Sequence, residues 1–364
     1  MTALSHSDAT PSPGVQFDGF FGNSPIAAAL AGMIQGGKIP QTLLFSGPEG
    51  VGKATLARRF AARLLGDNTG LIEQDDLSRE ANSTRIADRE RWPADKRNED
   101  PLLFSSHPDF LTFPPDGPLR QITIQQMRLL KERAPLKPLR GDWRVFLIDS
   151  IDRANEQAAN SLLKTLEEPP PHLILIMTSR NAYDLLPTIR SRAVPFHFAR
   201  LAQKEMRAFL ATRPLDDAER RLHLAEGSPG LAVSIDLDSY DRRRAAMLAL
   251  LQAATGLGSF EAWRKHSDFL AARRTEKLEW CLETLYSLLE DVVRAASGAV
   301  ELRNRDLTKE IAALAKKASF DWLWRFVARV DELVELARRN IQKPIALDAL
   351  ALLKPGPLDP QGPL

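Results

Sequence analysis

Gly47-Pro-Glu-Gly50-Val-Gly52-Lys53-Ala54 has the spacing of a loop that holds phosphate. Glycines let successive backbone N–H groups turn inward around phosphate oxygens. A helix starting directly after them adds positive partial charge, and Lys53 would reach the β- and γ-phosphates. The signature needs a strand before it and a helix after it, and the apolar run Thr42–Ser46 and the segment beyond Lys53 read that way. A complete signature continues with Ser or Thr, whose hydroxyl binds Mg²⁺. Here the residue is Ala54. Thr55 comes one position late, and one step along a helix turns a side chain about 100°. The loop is therefore expected to take ATP or ADP through Gly47, Gly50, Gly52 and Lys53, with Ala54 and Thr55 beside them and only a weak hold on Mg²⁺.

A second apolar run, Val145–Asp149, ends in an acid. In phosphate-loop enzymes such an aspartate holds Mg²⁺. The alternative is a strand-end aspartate that caps the following turn. Ser150 stands where a glutamate would polarise the attacking water, so the general base is missing.

Both motifs need a sheet to position them. Thr42–Ser46, Asp109–Phe113, Arg144–Asp149, Leu173–Thr178 and Val194–Phe198 are short apolar runs separated by helix-like segments, the pattern of a parallel sheet covered on both faces. Asn155–Glu167 carries an apolar stripe and stops at prolines. Thr123 and Gln126 have capping-box spacing and predict a helix over Ile124–Arg133. The stretch Asp67–His107 holds ten acidic and six basic residues with few large apolar ones, and is expected to be a solvated or disordered insertion. Beyond Arg200 the strands stop. The expected organisation is a tail over 1–16, an α/β phosphate-loop domain over 17–200, a helical lid over 201–239, an all-helical domain over 240–353 and a tail over 354–364.

Bulk properties narrow the class. A formal net charge of +2 argues against a chain that wraps nucleic acid over its whole surface. A single cysteine, Cys281, rules out an internal disulfide and suits a reducing compartment. No run has the length of a membrane span and the start lacks signal-peptide order, so a cytoplasmic protein is expected. His107-Pro-Asp109 reads as a strand lead-in. Trp263, Trp280, Trp322 and Trp324 are expected in cores or subunit contacts.

The order FFGNSPIAAAL, LLFSGPEGVGKATLA, HPDF, VFLIDSIDRAN, NSLLKTLEEPPP, TSR and TIRSRA resembles the AAA+ clamp-loader subunits of bacterial DNA polymerase III, in their non-motor delta-prime form. The resemblance covers Phe20–Arg200 and extends to RRNIQKPIALDAL at Arg338–Leu350. It implies a RecA-like AAA+ P-loop domain with a small helical lid and an all-α C-terminal collar domain. It places Phe21–Asn23 near the adenine and Ser179 at the polar γ-phosphate sensor. It makes Arg192, with Arg190 as the weaker choice, an arginine that reaches a neighbouring subunit's ATP, whereas the residues alone favour surface ion pairs. The family's four zinc cysteines are absent from 67–107, so no zinc is expected, and the lid arginine is absent from Gly227–Ala232. The function so implied is a clamp-loader subunit with weak or no ATPase of its own. Its expected partners are motor subunits, a delta-like subunit, the sliding clamp and, through the complex, primed DNA, with no membrane. An active motor ATPase (a clamp-loader motor or a helicase loader) and a nucleotide-free scaffold remain as alternatives.

Overall fold

The structure is a computed structural model that describes residues 17–272, 278–298, 302–337 and 342–355. The expected tail over 1–16, residues 356–364 of the expected tail over 354–364, and 338–341 of the collar-like stretch lie outside the described residues. The chain forms two compact units divided between Ser234 and Ile235.

In the first unit, helix α1 (Ser24–Gly36) leads into β1 (Thr42–Ser46), the phosphate loop and α2 (Lys53–Leu65). Helices α3 (Leu71–Gln74), α4 (Glu80–Arg89) and α5 (Ala94–Glu99) precede β2 (Phe110–Phe113). Then follow α6 (Ile124–Arg133), β3 (Arg144–Ile148), α7 (Glu156–Glu167), β4 (Leu173–Ser179), α8 (Pro187–Arg190) and β5 (Val194–His197). The strands form one parallel sheet in the order β2-β3-β4-β1-β5.

Alternation along the strands sends residues to opposite faces. Leu44, Phe113, Phe146, Ile148 and Leu175 pack with α6 and α7. Leu43, Phe45, Phe110, Val145 and Ile174 pack with α1 and α2. The capping box is formed as its spacing predicts: the Gln126 backbone N–H donates to Thr123 Oγ1 at 3.3 Å, and the Thr123 N–H to Gln126 Oε1 at 2.8 Å. Asn155 caps α7 by accepting from Ala158 N at 2.8 Å. The aspartate of His107-Pro-Asp109 is fully buried and leads into β2, with both oxygens taken by backbone N–H groups of Leu139 and Arg140.

The charged stretch 67–107 is not a solvated loop. Ile86, Leu102 and Phe104 form a small apolar cluster of their own. Phe104 exchanges two backbone hydrogen bonds with Thr112 and so covers the outer edge of β2. The charges order the segment because they are paired across it. Arg58 meets Asp76 at 2.6 Å, Arg120 meets Glu90 at 2.7 Å, and buried Arg89 meets Asp116 and Asp100 at 2.8 and 3.1 Å.

The lid comprises α9 (Gln203–Ala211), α10 (Ala218–Ala225) and α11 (Pro229–Ser234), packed around Leu201, Met206, Leu210 and Leu222. Together these elements are a RecA-like α/β P-loop domain with a helical lid.

The second unit is all-helical over its described residues: α12 (Leu237–Thr255), α13 (Phe260–Ala272), α14 (Leu278–Ala296), α15 (Thr308–Lys317), α16 (Phe320–Ala337) and α17 (Lys343–Ala351). Helix α12 starts ahead of the expected Tyr240 because Asp236 caps it, accepting from Ser239 N at 3.2 Å. Trp263 and Trp322 are buried, with their indole N–H groups donating to Asp348 Oδ1 at 2.7 Å and to the Leu353 carbonyl at 2.8 Å. Trp324 is 71% exposed and stands one helical turn from exposed Phe320, so it belongs to a surface and not to the core.

Candidate functional site

The sheet register brings the motifs to one edge. Ser46 pairs with Ser179 and Ile148 with Met177, so Gly47, Asp149 and Arg180 leave the carboxyl ends of neighbouring strands together. Beta-1 lies between β4 and β5, where the strand order turns back, which is where parallel α/β sheets bind ligands.

The loop conformation depends on its glycines. Gly47, Gly50 and Gly52 have φ of 143°, 75° and 96°. A Cβ on Gly47 would stand 2.3 Å from the Phe198 carbonyl oxygen, and one on Gly52 2.9 Å from the ring of Phe20. Among the described residues, the backbone N–H groups of Gly50, Val51, Gly52 and Lys53 donate to nothing in the chain. Lys53 Nζ donates to the carbonyls of Gly47 at 2.7 Å and Pro48 at 2.6 Å, and burial holds its pKa below the usual lysine value. Unclaimed donors around a desolvated ammonium form a cradle whose chemistry fits the phosphates of a nucleotide.

Ala54 and Thr55 sit in the first turn of α2, and Ala54 packs against the apolar core beside the sheet. Asp149 accepts from Thr178 Oγ1 at 2.5 Å, while Thr178 Oγ1 accepts from Ser150 N at 2.8 Å. Burial pushes the Asp149 carboxyl above the ordinary range, against the opposing pull of Thr178, Arg58 and Lys53. Ser150 itself is left-handed, φ 64°. Asp152, the next carboxylate along, accepts from Arg180 N at 3.3 Å.

Ser179, the expected sensor, is buried and donates its hydroxyl to the Asn181 carbonyl at 2.7 Å. Thr178 is the residue hydrogen-bonded to the acid, and the sequence reading missed it. Adjacent strand residues point to opposite faces, and β4 is buried along its whole length, so no polar alternation marks which of the two faces Asp149. The usable signal was the position of Asp149 directly after the β3–β4 pairing.

The lid closes on the loop through main chain. Gly230 N donates to the Gly50 carbonyl at 2.8 Å, and Ser228 Oγ to the Glu49 carbonyl at 2.8 Å. A Cβ on Gly230 would lie 2.9 Å from Gly50 Cα, so this approach requires the glycine in the segment where the lid arginine is absent. Arg180 pairs with the Glu49 side chain. The Asn23 side chain is clamped to Ala199 by hydrogen bonds of 3.1 and 2.8 Å, and Phe21 meets Phe209 edge to face at 5.5 Å. The Phe20–Asn23 segment thus joins the phosphate loop to the lid.

The two candidate arginines differ. Arg190 lies over Tyr183 at 5.1 Å, and its buried Nε has no hydrogen-bond partner. Arg192 keeps 33% of its side chain exposed and pairs with exposed Glu167 at 2.9 Å. Its Nη1 also donates to the Thr188 carbonyl at 3.0 Å. An exposed pair of this kind is worth about 0–1 kcal/mol, so Arg192 can exchange Glu167 for another anion.

Replacing Asp149 by asparagine is expected to raise the melting temperature at neutral pH. The carboxyl pKa is higher folded than unfolded, so folding is penalised once the group ionises. The gain should shrink as the pH falls and vanish below about pH 3, where the carboxyl is protonated in both states. Thermal unfolding of both proteins across that range checks it. A gain that is constant with pH, or a loss at neutral pH, would contradict the penalty.

Comparison with known proteins gives a consistent family. Residues 22–202 match the family described as DNA polymerase III, delta subunit. The chain is 30% identical over 190 residues to the tau subunit of Escherichia coli DNA polymerase III, covering 51% of this chain and 26% of tau. It is 30% identical over 190 residues to the delta' subunit of Pseudomonas aeruginosa, covering 51% and 52%. It is 27% identical over 217 residues to the delta' subunit of E. coli, covering 59% and 63%. The match therefore spans less than two thirds of each relative.

Proposed function

We infer that the chain belongs to the DNA polymerase III clamp-loader family, and from that premise that it is a non-motor subunit that serves a neighbour's ATP. The observation that carries the reading is the exposed Arg192, whose one ion pair, to Glu167, is exchangeable, in a chain whose own site lacks a carboxylate at position 150. A guanidinium supplied from outside stabilises the charge that develops on a transferring phosphoryl group. The chain's own loop has the donors to hold ATP or ADP, with Mg²⁺ bound weakly because Ala54 offers no hydroxyl. Asp149 and Thr178 are the groups left to meet a metal or its water. The complex so served comprises motor subunits and a delta-like subunit, and it places a sliding clamp on primed DNA in the cytoplasm.

The isolated chain tests its half of the proposal. ATP and ADP are expected to raise its melting temperature. Its steady-state hydrolysis should fall about 10²–10⁴-fold below that of its organism's motor subunits, the range that a positioned general base contributes. Motor-like turnover would make the chain a motor. No thermal shift with either nucleotide would leave a scaffold whose phosphate loop is vestigial.

A further inference from the structure

The charged segment that precedes β2 shapes a groove on the first unit that the nucleotide site does not use. Two adjoining cavities of about 520 and 500 Å³ share a wall made by Leu103, Ser105 and Arg133. One is polar and includes Arg85, whose guanidinium lies over Phe104 at 5.2 Å. The other is apolar and basic, with Leu136, Leu139 and Lys137.

The charges of this groove are unbalanced. Among the described residues Arg85, Arg133 and Lys137 enter no ion pair. The two carboxylates that face the first cavity are already engaged. Asp100 serves Arg89, and Asp75 is buried and accepts from Ser106 N at 3.1 and 3.3 Å, with burial pushing its carboxyl up toward the neutral form. Glu132 and Asp142 line neither cavity.

The apolar end is displayed on stiff backbone. Leu136 and Leu139 are 49% and 79% exposed. Yet their loop is fixed from below by Asp109, which takes the N–H groups of Leu139 and Arg140 at 2.8 and 2.7 Å. Arg144 Nη1 donates to the carbonyls of Arg133 and Leu136 at 2.9 and 3.2 Å. Pro135 and Pro138 stiffen the same turn. Exposed leucines held without freedom to fold away, beside unpaired cations, are the makings of a recognition surface.

The geometry points to a docking groove for an acidic, leucine-bearing segment of a partner protein, its carboxylates on Arg85, Arg133 and Lys137 and its apolar side chains against Leu136 and Leu139. A nucleic-acid strand fits less well. Phe104 is buried under Arg85, and no exposed aromatic ring lines either cavity to stack a base.

The test uses the full chain and fluorescence anisotropy with a short fluorescein-labelled peptide that alternates aspartate and leucine. Its lysine–leucine and aspartate–serine counterparts and a thymidine oligonucleotide are run as competitors. The aspartate–leucine peptide is expected to bind and both counterparts to compete poorly. Arg85→Glu with Arg133→Glu should weaken binding by about tenfold or more, and Arg133→Gln should weaken it less. Leu139→Ser should weaken it without altering the salt dependence. Arg192→Ala should leave it unchanged. All four groups are on the surface, and an unchanged melting temperature of each variant shows that the fold is kept. The proposal is overturned if the peptide does not bind, if the lysine–leucine peptide binds equally, if the double variant binds as wild type does, or if the oligonucleotide displaces the peptide more effectively than unlabelled peptide.

Discussion

Arg192→Ala, placed in a complex with its organism's motor subunits, delta-like subunit, clamp and primed DNA, is expected to slow the one ATP site it faces by about 10³-fold, the lower bound for arginines supplied in trans. Total turnover should then fall to what the remaining sites sustain. The loss should appear in the catalytic rate and not in stability. Arg192 holds Glu167 in an exposed pair worth about 0–1 kcal/mol, so the variant should melt within about 2–4 °C of wild type. Two comparisons make the result specific. Glu167→Gln releases Arg192 from its intrachain partner and should not slow the complex. Arg190→Ala removes a guanidinium packed on Tyr183, so it should shift the melting temperature while sparing the rate. Unchanged ATP turnover by an intact complex carrying Arg192→Ala would end the trans-arginine proposal. A rate loss with Arg190→Ala alone would move the role to that residue.

The sheet and the phosphate loop were legible because each rests on local pattern. Leu173–Met177 and Val145–Ile148 are unbroken apolar runs, and their strands are buried along their whole length, which is what a strand covered on both faces requires. Thr123 and Gln126 lie at the fixed offset of a capping box, and the box forms. What stayed hidden depends on residues far apart in the chain. Nothing near Gly230 in sequence announces that its N–H will meet the Gly50 carbonyl, because only the folded lid brings them together. Thr178 was passed over for Ser179 because a one-residue shift along a strand reverses the side chain's face. Trp324 has the same apolar character as Trp322 two residues before it. Only the packing of α16 decides that one is inside and the other outside. The largest difference concerns 67–107. Composition counts charges and cannot see that they are matched in space, so a segment built on paired charges reads like a solvated one.

That matching supplies the largest expected effect on stability. Arg89 and Asp116 are each 1% exposed at their side chains, with Nε and Nη2 donating to the two carboxylate oxygens at 3.0 and 2.8 Å. A third contact runs to Asp100, and the Trp92 ring lies 4.6 Å from the guanidinium carbon. The pair ties α4 to the turn after β2. Arg89→Met keeps most of the volume and removes the charge, leaving the Asp116 carboxylate buried with only the Gly117 N–H at 2.7 Å. Breaking a buried pair from one side costs about 3–5 kcal/mol, and at about 2–4 °C per kcal/mol the melting temperature should drop by about 10 °C. Asp116→Asn by itself should also destabilise, since it strands the guanidinium. Combined with Arg89→Met it should restore part of the loss, because the amide still accepts from Gly117 and no buried charge remains. A double-mutant cycle by thermal unfolding measures that coupling. Hydrogen exchange over residues 67–107 shows whether the segment opens before the sheet does. If Arg89→Met melts with wild type, or if the two losses simply add, the network does not hold this segment in place, and its order must come from the cluster of Ile86, Leu102 and Phe104.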